Sequence, residues 1–494
     1  MHHLSHLKSS SGTRCSRLVS KKLFDATCGK HCGTVHYATP SMAKGAIHDA
    51  SVSQHIWYND YTPSQRGNIL LKASTLIRDS HFEELVEREV LDTSRTAAEI
   101  RGYDVNSASE CLAYYSHLPS IISHGTAHNI DNSLAYTLRE PIGVTVGIGA
   151  WNYPLMNAIS KSAPALAFGN AMVYKPAEMT PGSALLLADI YEEAGVPSGV
   201  FQVLLGDGKS VQEWNLLDNE IVGKISFTGS VETGRKIDEY VSKNNPNFPK
   251  VTLELGGKSP LIIMEDCKDR LEDAVDAAMS ANWYSNGQVC SNGTRVFVHE
   301  SIKDEFVEQL VEKTSRLQIG HPMDSEIDIG PMISRSHMER VLEYIEVGKH
   351  VDHATLLYGG KRLGTEASDF GHEDGYYLSP AIFTNCRDNM RIVQEEIFGM
   401  VMSVLTFRDE EEVISRANGS TFGLAAGIYT NSLTQAHRMA SNLDAGTVWI
   451  NNYNLGPVEL PFGGNKQSGR GRENGSSEAV YEWTKNKSVY IEMN

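Results

Sequence analysis

Three short segments of this chain carry residue types that, held together, could do acyl chemistry. The first is Asn286-Gly287-Gln288-Val289-Cys290, which sets a cysteine after a glycine-containing turn. The reactive form of cysteine is the thiolate, which needs open access and nearby donors. The spacing predicts a turn leading into a helix, whose free N–H groups would supply them. The second is Glu254-Leu255-Gly256-Gly257-Lys258. A carboxylate ends an apolar strand carrying Val251 and Leu253, so desolvation would raise its pKa towards that of a general base. The paired glycines remove side chains where a ligand or backbone must pass close by. The third is Gly149-Ala150-Trp151-Asn152-Tyr153-Pro154. An asparagine amide is a natural donor to a developing oxyanion, and losing one such donor costs about 3 kcal/mol. Each segment alone has an ordinary reading: a core cysteine like Cys111, Cys267 or Cys386, a glutamate at a strand end, an asparagine capping a helix that begins near Pro154. Their conjunction is what points to chemistry.

The whole-chain properties narrow the partners. A formal net charge of −17 over 494 residues repels phosphate backbones and anionic lipid, so neither nucleic acid nor a membrane is expected as a partner. No run of about 18 uncharged apolar residues is present, which excludes an ordinary membrane-spanning helix. The seven cysteines are odd in number and scattered, which argues against a disulfide framework and for a reducing compartment. Cys28 and Cys32 flank His31, with His36 nearby. No second ligand pair follows at zinc-finger spacing, so an irregular N-terminal arm is expected there and no metal site. The first 24 residues lack acidic groups, as a mitochondrial presequence does, but they have no long amphipathic apolar face. The expected compartment is the cytoplasm, with the mitochondrial matrix as the alternative.

The elements needed to position the three segments are legible in outline. The N-terminal third reads as helical. Ile69, Leu70, Ala73, Leu76 and Ile77 follow helical spacing, and Ser80 with Glu83 forms a capping-box pattern ahead of Phe82, Leu85, Val86 and Val90. From about residue 139 strands and helices alternate. Strands are expected at 142–148, 171–174, 200–205 and 224–228, and a helix after Thr180 and Pro181 that stops at Gly195. A second α/β stretch begins near Val251. It includes a helix capped by Ser301, another ending at Gly419, and a strand at 448–450. Such alternation predicts a doubly wound parallel sheet.

Together the motifs resemble those of the aldehyde dehydrogenase superfamily. The resemblance runs from about residue 60 to the C-terminus and rests on GIGAWNYP at 147–154, VYKPAEMTP at 173–181, SFTGSVETG at 226–234, LELGGKSP at 253–260, NGQVC at 286–290, EEIFG at 395–399 and PFGGNKQSGRGRENG at 461–475. It implies that Cys290 is the nucleophile, Glu254 the general base and Asn152 an oxyanion donor. The 36-residue separation of Glu254 from Cys290 fits the family. It implies an NAD cofactor on a loose form of the dinucleotide fold, with Gly229, Ser230 and Gly234 at the pyrophosphate turn and no G-x-G-x-x-G. Lys175 and Glu178 would hold the adenosine ribose, and Glu178 would repel a 2′-phosphate, favouring NAD over NADP. Glu396 and Phe398 would position the nicotinamide end, and Trp151 joins the cofactor group. The implied architecture is α/β: an N-terminal arm at 1–24, an NAD-binding domain at 25–129 and 140–250, a second α/β catalytic domain at 251–440, a substrate-pocket segment at 441–469, and a small β oligomerisation arm at 130–139 and 470–494 that makes dimers or tetramers.

Within the superfamily, GIGAWNYP, TNCRDNM at 384–390 and INNYNLGPVELPFGG at 450–464 are most similar to enzymes acting on betaine aldehyde and 4-trimethylaminobutyraldehyde. A trimethylammonium group favours aromatic faces. Tyr153, Tyr284 and Phe462 match aromatic positions of that pocket, and Glu459 would add negative charge. Two positions depart from the pattern. Ser160 stands where those relatives carry tryptophan, which removes a wall of the aromatic box and makes a broader aliphatic-aldehyde enzyme the rival. Met400 stands where the family has proline, which suggests a less rigid loop. Three other readings compete: a cysteine hydrolase or acyltransferase, which would need a histidine partner and finds none near the motifs in sequence, a catalytically silent member of the family, and a CoA-acylating aldehyde dehydrogenase.

Overall fold

Segments such as Val144–Ile148, Ala171–Lys175, Arg295–His299 and Ala425–Tyr429 are buried at every position. A strand with no exposed face needs cover on both sides, which a parallel sheet flanked by helices provides. The structure, a computed structural model, describes residues 4–7, 20–121, 125–364 and 374–493. It builds two such sheets. In the first, the strand order is Gly469–Arg470, Lys250–Glu254, Val222–Thr228, Val144–Ile148, Ala171–Lys175, Phe201–Val203. All neighbours are parallel except Gly469–Arg470, which runs antiparallel to Lys250–Glu254. Numbered by chain position from the far edge, the five parallel strands run 3-2-1-4-5, the order of dinucleotide-binding sheets. Ligands of such sheets sit beyond the carboxyl ends of the strands, where the order reverses. Here that point lies between Val144–Ile148 and Val222–Thr228.

The second sheet has seven strands, in the order Thr355–Gly359, Ala381–Thr384, Val401–Phe407, Arg295–His299, Pro260–Ile263, Ala425–Tyr429, Thr447–Ile450. Only the Thr355–Gly359 edge is antiparallel to its neighbour. Its core includes Ile262, Phe297, Val341, Phe383 and Met439. Two further clusters, one around Leu155, Tyr174 and Leu187 and one around Val146, Ile225 and Leu253, pack against the first sheet. A third, three-stranded antiparallel sheet joins Thr484–Glu492, Ser133–Pro141 and Ala127–Ile130, with Thr484 opposite Pro141 and Glu492 opposite Ser133.

Several local expectations change. The 20–36 stretch is not irregular: Ser20–Phe24 pairs antiparallel with His31–His36, and Cys28 lies in the loop between them. The first 24 residues fall largely outside the described ones. Ser80 is the C-cap of helix Pro63–Asp79 and does not cap the next helix, Phe82–Thr93, which has no side-chain cap. The capping box belongs instead to Thr62 and Gln65 one helix earlier. Helix Gly182–Ala194 begins after Pro181, without a bond from Thr180, and ends at Gly195 with φ +109 as expected. Helix Lys303–Ser315 starts after Ile302, and the Ser301 hydroxyl faces His299 at 2.7 Å. Ser301 has thus turned to a nearer partner than the helix start, whereas the Thr180 hydroxyl is buried without a hydrogen-bond partner.

Candidate active site

The three segments converge because each follows the carboxyl end of a strand of the first sheet or abuts one that does. Gly149 to Asn152 follow Val144–Ile148, Gly229 and Ser230 follow Val222–Thr228, Lys175 ends Ala171–Lys175, and Glu254 ends Lys250–Glu254. Cys290 arrives from the second α/β unit. It lies in a turn leaving helix Leu271–Trp283 and entering strand Arg295–His299, so the expected helix after the cysteine is absent. The chain reverses there through three consecutive left-handed residues, Ser285, Asn286 and Gly287. The Asn286 side chain holds the reversal by bonding Pro331 O and Gly330 N at 2.9 and 3.1 Å.

Asn152 does not cap the helix that starts at Pro154. Its Nδ2 donates to Gln288 O at 3.0 Å, tying the first sheet to the cysteine turn. The paired glycines are explained on the same side. A Cβ at Gly257 would lie 2.4 Å from the Cys290 carbonyl oxygen, and one at Gly256 would lie 2.1 Å from Glu396 Oε2. The Gly257 N–H donates to Glu396 Oε1 at 3.0 Å. Cys290 is half-buried, and burial, with Glu396 and Glu254 nearby, pushes its thiol up to about 12. The thiolate is therefore not the resting form at neutral pH, and a base must take its proton.

Both carboxylate oxygens of Glu254 are buried without a hydrogen-bond partner, and Oε1 lies where a Cβ on Gly463 would meet it at 2.6 Å. Burial, then Glu473, raises the Glu254 pKa well above the carboxylate range, while Lys161, Arg472 and Lys224 pull it back. Behind it runs a buried polar chain. Lys161 Nζ donates to Ser226 Oγ at 2.8 Å, Ser226 Oγ donates to Glu473 Oε2 at 2.7 Å, and Lys224 pairs with Glu482 at 3.0 Å. None of these partners stood out in the sequence. Lys161 lies inside an apolar helix and Ser226 inside an apolar strand, and their burial was the available signal.

A family model described as the aldehyde dehydrogenase family matches residues 19–489. The chain belongs to the aldehyde dehydrogenase family. It is an enzyme of the NAD-dependent aldehyde dehydrogenases, with that family's fold. It is 47% identical over 470 residues to a betaine aldehyde dehydrogenase of Mesorhizobium japonicum, covering 95% of this chain and 93% of that one. Among solved structures it resembles the betaine aldehyde dehydrogenase of Staphylococcus aureus in complex with NAD+, at TM-score 0.90 and 34% identity, covering 96% of this chain and 92% of that chain. It also resembles the NAD+ complex of an aldehyde dehydrogenase from Bacillus cereus, at TM-score 0.90 and 37% identity, covering 96% and 94%.

The residues expected at the dehydrogenase's cofactor site lie along the same strand ends. Ser230 is the N-cap of helix Val231–Asn244, accepting from Thr233 N at 3.3 Å. A Cβ at Gly229 would meet Phe227, and one at Gly234 would meet Leu255 at 2.6 Å, so small residues let the helix lie close to the sheet. Lys175 Nζ donates to Pro176 O and Gly206 O, both at 2.9 Å, and burial moves it down to about 8. Burial lifts Glu396 to about 7. Phe398 is held at φ +63 with its ring edge-on to Trp151 at 5.2 Å. Although no histidine lies near the motifs in sequence, one stands at the site among the described residues: His337 packs edge-on to Trp151 at 5.3 Å, and its Nε2 lies 2.7 Å from Phe398 O. Burial drops its pKa to about 4, so it stays neutral and must donate to that carbonyl. It escaped notice because it lies on helix Arg335–His350, far in sequence from every motif. Met400 is fully buried and its carbonyl accepts from Ala381 N at 2.8 Å, so the loop is anchored without a proline.

On the substrate side, Tyr153 and Tyr284 come together around Arg95, whose Cζ lies 4.0 and 5.9 Å from their ring centres. Arg95 is buried, paired with Asp104 through two bonds of 2.7 and 2.8 Å, and near the half-buried Glu99. Tyr153 OH bonds Ser285 Oγ at 2.7 Å. Phe462 is half-buried and adjoins Gly463 beside Glu254, whereas Glu459 is exposed. Ser160 Oγ turns back to Asn157 O. The sequence reading missed Tyr453, whose hydroxyl donates to Ser291 O at 2.7 Å and clamps the 449–455 segment over the cysteine turn.

Proposed function

We propose that this dehydrogenase oxidises an aldehyde to its carboxylic acid through a thioester on Cys290, with NAD+ as cofactor, and that its substrate is an aminoaldehyde such as betaine aldehyde or 4-trimethylaminobutyraldehyde. The observation carrying the mechanism is the meeting of the Cys290 turn, the Asn152 amide and the unpartnered Glu254 carboxylate at the carboxyl ends of one sheet. Cys290 sulfur adds to the aldehyde carbon after its proton passes to a base. The Asn152 Nδ2–H and the Cys290 backbone N–H then donate to the oxyanion. The residues present fit a dinucleotide: Lys175 and Glu178 for the adenosine ribose, the open N–H groups after Ser230 for the pyrophosphate, and Trp151, Glu396 and Phe398 for the far end. When bound, the cofactor supplies the hydride acceptor. Glu254 takes a proton from water as the water attacks the thioester, which releases the acid and the Cys290 thiol.

The aminoaldehyde reading is supported by the name of the Mesorhizobium japonicum relative and by Tyr153, Tyr284 and Phe462. A second reading, a broad aliphatic aldehyde dehydrogenase, is favoured by Arg95, which already occupies one face of Tyr153, and by Ser160. The deciding experiment compares NADH formation from 4-trimethylaminobutyraldehyde, betaine aldehyde, aminobutyraldehyde and a neutral aldehyde of equal length. Strong preference for the cationic compounds supports the first reading, and equal rates establish the second. Cys290→Ala should abolish oxidation while NAD+ still binds by calorimetry, and retained turnover would sink the thioester. The chain also fits a homo-oligomer built through its third sheet, whose Ile130, Tyr490 and Ile491 are exposed. Light scattering tests this.

A further inference from the structure

Glu178 does not stand alone. It ion-pairs through Oε1 with Lys21, and Oε2 accepts from Tyr37 OH at 3.4 Å. Lys21 belongs to strand Ser20–Phe24, outside the dinucleotide sheet. Its hairpin partner His31–His36 leads directly to Ala38, whose N–H donates to Leu205 O at 2.8 Å. That bond hangs the hairpin over the carboxyl ends of Ala171–Lys175 and Phe201–Val203, where Lys175 and Glu178 lie. The remaining carboxylate there, Asp207, is engaged in capping helix Gly208–Glu213 through Lys209 N and Ser210 N.

We propose that Lys21 sets the dinucleotide preference of this chain by neutralising Glu178, so that the adenosine-ribose subsite accepts a 2′-phosphate as well as a 2′-hydroxyl. The proposal rests on the reading of Lys175 and Glu178 as the ribose site. A lone Glu178 would repel a phosphate dianion, which is what the sequence implied. With Lys21 present, two ammonium groups, Lys21 and Lys175, stand against two carboxylates, Glu178 and Asp207, and the repulsion is cancelled. Both members of the Lys21–Glu178 pair are partly open to solvent, 38% and 29% at the side chain. A lysine on a flexible four-carbon stem can therefore leave the carboxylate and turn onto the phosphate. With a free ribose, Glu178 accepts from the hydroxyls and Lys21 remains a bystander.

The test is equilibrium binding of NAD+ and NADP+ to the full chain by calorimetry, for the unaltered protein and for Lys21→Ala, Lys21→Arg and Glu178→Gln. NADP+ should bind the unaltered protein within about tenfold of NAD+. Lys21→Ala should weaken NADP+ by about five- to tenfold while NAD+ changes less than about threefold, and Lys21→Arg should restore NADP+ binding. No NADP+ binding to the unaltered protein, or a Lys21→Ala change that weakens both dinucleotides equally or neither, overturns the proposal. Glu178→Gln separates the two levels of inference: unchanged NAD+ affinity in that variant removes the ribose assignment itself, whatever Lys21 does.

Discussion

Substituting Gly257 with alanine isolates the packing of the base segment against the nucleophile. The new Cβ would sit 2.4 Å from the Cys290 carbonyl oxygen and 3.2 Å from Leu424 Cβ. An ordinary contact lies near 3.5 Å, so the cysteine turn must retreat by about 1 Å. The obstacle is backbone, which cannot rotate away as a side chain would, and Leu424 adds a second close contact. A misplacement of about 1 Å at reacting atoms costs about 100-fold in rate, or ~2.7 kcal/mol of barrier. The assay is kcat at saturating aldehyde and dinucleotide, with the thermal midpoint and dinucleotide affinity measured in parallel. We expect kcat to fall about 100-fold with dinucleotide affinity kept within a few-fold. A kcat within threefold of the unaltered enzyme, in a protein that folds normally, refutes the argument that Gly257 sets the position of Cys290. Gly256→Ala provides the contrast. Its Cβ meets the end of the Glu396 side chain, which can swing. The effect should therefore appear mainly as weakened dinucleotide binding, and a larger kcat loss than in Gly257→Ala would reverse the assignment.

Three further outcomes follow from the site. Glu254→Gln should give a burst of NADH and then a slow steady state, because hydrolysis of the thioester loses its base; equal slowing of the burst would move Glu254 to thiol activation. Lys161 holds the Glu254 pKa down, so Lys161→Met should raise it further. Glu254 acts deprotonated, so the acid limb of thioester hydrolysis must shift to higher pH in single-turnover profiles, and a shift to lower pH contradicts the electrostatics. Arg95→Ala leaves Asp104 buried and unpaired, 0% exposed at its side chain. It should lower unfolding stability by about 3–5 kcal/mol in denaturant titration, and a loss below about 1 kcal/mol would mean that Asp104 finds another partner.

The parallel strands of the first sheet were legible because they are short, mostly apolar and punctuated by glycine, and the structure moves their bounds by only a residue or two. Helix starts were less so: Ser80, Thr180 and Ser301 all read as caps, and none caps the helix expected of it. A hydroxyl two or three residues from a helix has several acceptors within reach, and only the three-dimensional path of the chain chooses among them. The antiparallel edges Gly469–Arg470 and Thr355–Gly359 were invisible for a related reason. Their pairing depends on which strand end remains open after the parallel core has formed.

Residue identity and spacing alone selected Cys290, Glu254 and Asn152 and attached them to a family, since nucleophile, base and oxyanion donor are chemical types that a sequence displays directly. Tertiary structure decided their setting. It showed that Gly256 and Gly257 make room for Glu396 and the Cys290 carbonyl, that Lys161, Ser226 and Glu473 lie behind Glu254, that His337 braces Phe398, and that Lys21 faces Glu178. In the chain behind Glu254 alone, the bonded partners lie 65 and 247 residues apart. Charge and hydrogen bonding act through space over a few ångströms, and only the folded path of the chain brings such distant positions within that range.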